Sequence, residues 1–144
     1  MGQPHRIYLA GPIFSAGEIA WARELCNALR EWLEEADVNG QIIWPYELST
    51  NQGEAKKIFQ ENLRALDSCD LMVAILDGPQ VDDGTAWEIG HFFQQRKRVL
   101  GIRTDIRNAG EFKSSRINLM IEFSCLSISS SIRELYSELE GLLA

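Results

Sequence analysis

Cysteine, cationic runs and long apolar stretches are all scarce in this chain, and each shortage removes a class of function. Only three cysteines, Cys26, Cys69 and Cys125, stand among 144 residues. Their number is odd and none lies in a Cys-x-x-Cys pair, so neither a disulfide framework nor a metal site is expected. Cys26 and Cys69 fall on apolar helix faces and read as buried free thiols. Lys and Arg total 14 against 21 Asp and Glu, a net charge of -7. The basic clusters are short, Lys56-Lys57 and Arg96-Lys97-Arg98, and the second reads as a helix C-terminus, where cations complement the dipole. No polynucleotide partner is expected, whereas a small neutral substrate fits. No apolar run reaches membrane-spanning length, and Met-Gly-Gln-Pro-His does not read as a signal peptide. The expectation is a cytoplasmic protein without membrane contact.

What remains is an ordinary globular composition, 45% hydrophobic and 24% charged, in a length that suits one domain over residues 1–144. Residues 6–10 read as a short buried strand ended by Gly11-Pro12. Residues 18–36 carry Ile19, Ala22, Leu25, Leu29, Trp32 and Leu33 at helical spacing. Residues 41–44 form a second strand stopped by Pro45, and residues 46–53 a polar loop. A helix over 54–68 would set Ile58, Phe59, Leu63 and Leu66 on its inner face. Residues 71–76 are apolar without a break, as a central parallel strand must be when helices cover both sides. A helix over 84–96, a strand over 98–102, a long polar loop over 104–116, a short helix over 118–123, a strand over 125–128 and a serine-capped helix over 131–143 follow. Strands alternating with helices predict a single-domain three-layer α/β sandwich with a five-stranded parallel sheet, flavodoxin-like or Rossmann-like.

Ligands of open α/β sheets sit beyond the carboxyl ends of the strands. Residues 11–15, 46–53 and 77–88 should converge there. The third segment brings Asp77, Asp82, Asp83 and Glu88 within twelve residues, beside glycines that let a ligand approach the backbone. Glu88 would stand in about the first turn of its helix, exposed at the ligand edge, where the N-terminus favours an ionised carboxylate. That is the state a glycosyl-transferring nucleophile needs. Each carboxylate also has an ordinary reading, Glu88 as a dipole partner and Asp82 and Asp83 as turn residues. His5 would lie in a mobile N-terminus. His91, three residues after Glu88, would share its helix face, near the site or simply in helix packing.

The run Asp82-Asp83-Gly84-Thr85-Ala86-Trp87-Glu88-Ile89-Gly90 resembles the signature of the nucleoside 2-deoxyribosyltransferase family. Ile7-Tyr8-Leu9-Ala10-Gly11-Pro12-Ile13-Phe14 is similar to that family's first strand and loop. Residues 58–76 resemble the helix and strand before its catalytic loop, and Ile117-Asn118-Leu119-Met120 its C-terminal substrate-binding segment. The resemblance implies that Glu88 is the nucleophile, forming a covalent deoxyribosyl ester, and that the Tyr8 hydroxyl orients it. It implies that Asp82 binds the sugar hydroxyls and that Phe14 packs on base or sugar, with Gly11 and Gly84 lining the substrate. Asn118 would enter the site of a neighbouring subunit of a homo-oligomer, a dimer or higher. The plain alternatives are a core tyrosine, a loop anchor and a helix cap for Tyr8, Phe14 and Asn118. Asn62 stands where many members carry an aspartate that handles the leaving base. An amide cannot act as a general acid, so Asn62 would instead hydrogen-bond the substrate or hold Glu88, with Asp77 or a bound water as the proton donor. The substrates implied are a nucleoside and a free nucleobase, with no cofactor and no metal. Three readings remain open: deoxyribosyl transfer, N-glycoside hydrolysis of nucleosides or their 5′-monophosphates, and non-catalytic nucleotide sensing. Asp82 would repel a phosphate and the first loop lacks Arg and Lys, which favours a nucleoside.

Overall fold

The computed structural model describes residues 2–48 and 53–143, so the expected loop over 46–53 lies partly outside the described residues, at 49–52. Five strands, β1 (His5–Ala10), β2 (Gly40–Ile43), β3 (Leu71–Ile75), β4 (Arg98–Ile102) and β5 (Ser127–Ser129), form one sheet in the order β2-β1-β3-β4-β5. Every pairing is parallel. This is the flavodoxin-like order, and its chain reversal falls between β1 and β3, where a crevice opens.

Strand periodicity assigns side chains to two layers. Ile7 and Leu9, with Leu71, Val73 and Ile75, pack under α1 (Ala16–Glu35) and α5 (Ile132–Leu143). Tyr8 and Ala10, with Met72, Ala74 and Leu76, face α2 (Ala55–Asp67), α3 (Asp83–Gln94) and the short α4 (Leu119–Glu122). Met72 and Val73 are therefore both fully buried, on opposite faces. Ser15 caps α1 by accepting from the Glu18 N–H, and Ser131 caps α5 by accepting from that of Glu134.

Several expectations change. Helix α2 buries only Leu66 deeply; Phe59 points to the mouth of a cleft and is half exposed. Cys69 is buried but follows the end of α2 rather than lying on it. Helix α3 ends at Gln94, so Arg96 and Lys97 form the turn into β4, with Arg96 at φ 57°, and Arg98 opens the strand. His5 is in the sheet, paired with Gly40, and its Nδ1 lies 3.7 Å from Asp70. No helix among the described residues is long and apolar enough to cross a membrane.

Candidate active site

The site begins with the cap of α3. Asp82 Oδ2 accepts from both the N–H and the hydroxyl of Thr85, each at 2.9 Å, so the helix starts at Asp83. Glu88 then falls in the second turn, not the first, and its side chain turns inward beneath β1. There the Tyr8 hydroxyl donates to Glu88 Oε2. Tyr8 is fully buried, and it reaches α3 because it sits one residue out of phase with Ile7 and Leu9 along β1.

Burial alters the expected charge state. Desolvation raises the Glu88 carboxyl to about 7, opposed by the Tyr8 hydrogen bond and assisted by the negative charge of Asp82. The expected exposed, dipole-ionised carboxylate is instead a sheltered group titrating near neutrality. Burial, then the neighbouring Glu88 carboxylate, push the Tyr8 phenol far above its ordinary value, so it remains a proton donor. Oε2 is thereby occupied and Oε1 is left for chemistry.

Tyr8 and Glu88 form the floor of a cleft of about 380 Å³. Gly11, Phe14, Asn62, Asp82 and Gly84 line the same cleft. Gly11 is required for packing as well, since a Cβ there would lie 2.9 Å from Ile75 Cβ. The Asn62 amide makes no hydrogen bond among the described residues, leaving both ends for a ligand. Trp44, Tyr46, Phe59 and Trp87 supply aromatic walls, with Phe59 edge-on to Trp87 at 6.1 Å. These four were missed as site residues, although aromatics at the ends of two ligand-facing segments were a usable signal. Among the described lining residues there is no Lys, Arg or His.

Asp77, His91 and Asn118 do not line this chain's own cleft. Asp77 accepts from the Thr104 and Asp105 N–H groups and the Thr104 hydroxyl, and it does not line the cleft, which removes it as proton donor. His91 contacts Asp67 at 2.7 Å and stacks on the outer side of the cleft wall at Trp87. Asn118 caps α4, accepting from the Met120 N–H and donating to Glu111, outside its own chain's cleft. No group of three or more His, Cys, Asp or Glu among the described residues is arranged to hold a metal.

A switch-point cleft floored by a tyrosine-bound glutamate defines an α/β protein with a built small-molecule site. Residues 7–120 match the model of the nucleoside 2-deoxyribosyltransferase family, and the chain belongs to that family. An uncharacterized protein of Ureaplasma parvum is 31% identical over 106 residues, spanning 69% of this chain and 66% of its own length. The chain thus spans about two thirds of that relative. The fold is shared with a 2-deoxyribosyltransferase of Bacillus psychrosaccharolyticus, at TM-score 0.72 and 24% identity over 91% of this chain and 90% of that one. It is also shared with the CMP N-glycosidase of Clostridium botulinum, at TM-score 0.58 and 18% identity over 96% and 99% of the two chains.

Proposed function

We propose that the protein is a nucleoside 2-deoxyribosyltransferase in which Glu88 carries the sugar between two bases. The observation that supports this best is the Tyr8–Glu88 pair at the floor of an aromatic cleft that also holds Asp82. In the first displacement Glu88 Oε1 bonds to C1′ as the C1′–N bond breaks, its electron pair leaving with the base, which takes up a proton. In the second, a nitrogen of the incoming base attacks C1′, and the ester C–O pair returns to Glu88 while that base loses its proton. Two displacements retain configuration and balance without a cofactor. Asn62 is no general acid and Asp77 is engaged in its loop, so the leaving base takes its proton from water. The free Asp82 oxygen accepts from the sugar hydroxyls, and the aromatic walls hold the base by stacking.

The absence of a cation among the described lining residues favours a nucleoside over its 5′-monophosphate, which needs donors for the phosphate. Asn118 completes the site of a neighbouring copy. In support, the exposed Phe93, Phe123 and Leu126 line one shallow surface pocket beside α3 and α4, apolar side chains of the kind found at interfaces. Incubation with a deoxynucleoside and a second free base tests the activity. New nucleosides are the expected product. Free base and sugar alone would make the protein an N-glycosidase, and unchanged substrate would leave a binding domain.

A further inference from the structure

Arg103 follows β4 and is fully buried, yet it belongs to none of the ion pairs among the described residues. Its Nη1 donates to the carbonyls of Leu76 and Gly78 (the latter at 3.1 Å), and its Nη2 donates to that of Arg107 at 2.8 Å. Nε has no partner among the described residues. A buried cation without a counter-ion is costly, and an apolar residue would pack the same space more cheaply. What the guanidinium supplies is a rigid fork of donors spanning three carbonyls on two loops.

Two of those carbonyls open the loop that leads to Asp82. The same stretch is held from the other side. Asp77 accepts from Thr104 and Asp105, and the Gly78 N–H donates to Asp105 Oδ2 at 3.1 Å. Gly78 adopts φ 117°, a conformation glycine reaches without a Cβ penalty, so the loop can turn there towards Asp82. Only three residues separate Gly78 from Asp82, which both caps α3 and lines the cleft.

We propose that Arg103 is a positioning residue, its guanidinium pinning the Leu76–Gly78 backbone so that Asp82 is presented to the sugar. This rests on the nucleoside reading of the cleft, and two separable measurements test it. Hydrogen exchange on the unliganded full chain examines the clamp. Arg103→Met should speed exchange of the 77–85 amides by about tenfold, leaving those of β1 and β3 unchanged. Kinetics examine the link to substrate. Arg103→Met should raise KM for a deoxynucleoside by about tenfold with kcat nearly constant, and this increase should vanish in an Asp82→Asn background. Arg103→Lys keeps the charge but not the fork, and should show the same pattern at smaller size if the Met variant folds poorly. Exchange that rises equally across the sheet, or a KM increase undiminished by Asp82→Asn, overturns the proposal. If the wild-type chain turns over no nucleoside, the activity reading fails and the exchange pattern alone decides whether Arg103 holds the loop.

Discussion

Glu88→Gln is expected to lower turnover by about 10⁴-fold, because the proposed mechanism needs a carboxylate to bond to C1′ and the amide replaces it while the fold is kept. Glutamine still accepts the Tyr8 hydrogen bond, so the loss is chemical. The wild-type pH profile should carry the same group. With Glu88 titrating at about 7, kcat/KM should fall about tenfold per unit as pH drops below that value. Tyr8→Phe removes the bond that lowers this group and should shift the limb to higher pH.

Stability should move in the opposite sense to activity. An unfolded glutamate titrates near 4.3, whereas Glu88 titrates at about 7 in the folded chain. Between these values the native state binds more protons, so the wild type loses stability as pH rises from about 4.5 to about 7 and stays penalised above. Glu88→Gln escapes the penalty. It should be more stable than wild type by about 3 kcal/mol at pH 8, and equal to it near pH 4. Denaturant melts at the two pH values read the difference.

Mixing Glu88→Ala with Asn118→Ala should restore activity that neither variant has alone. Within one chain Asn118 is committed to α4, where it caps the helix and binds Glu111, and it does not reach the cleft. If each site takes Glu88 from one protomer and Asn118 from another, a mixed dimer holds one site with both residues intact. The equimolar mixture should approach about a quarter of the wild-type activity, since random pairing makes about half of the dimers mixed and each of those has one of its two sites intact. The helix-cap role has its own readout. Losing the cap costs about 1 kcal/mol of stability, which exchange of subunits does not repair. Full activity of a protein that sediments as a monomer would rule out the shared site.

The sequence carried most of the fold because the fold depends on local pattern. The unbroken apolar run at 71–76 and the helical spacing from Ile19 to Leu33 each require one kind of element, and both stand where their periods place them. The motif around Glu88 located the segment that lines the cleft for the same reason, as a contiguous string. What was not legible depends on which element packs over which. Phe59 has helical spacing with Leu63 and Leu66, but α2 lies at the edge of the cleft, so its ring meets Trp87 rather than the core. Asp77 looked free as a carboxylate in a loop, until the distant Thr104 and Asp105 N–H groups claimed it. The protonation of Glu88 was misjudged because the helix-terminus field was visible in the sequence and the desolvation beneath β1 was not. Arg103 gave no signal at all, since nothing local marks an arginine after a strand as buried.

The most direct measurement is to trap the sugar on the protein. A 2-fluoro-2-deoxy nucleoside slows both displacements by destabilising the oxocarbenium-like transition state, and the ester accumulates when its hydrolysis is the slower step. Intact-protein mass spectrometry should then show one added fluorodeoxyribosyl group per chain, and peptide mapping should place it on Glu88, within residues 84–90. An adduct on another residue, or turnover of the fluorinated nucleoside at the rate of the natural one with no adduct formed, would contradict Glu88 as the nucleophile.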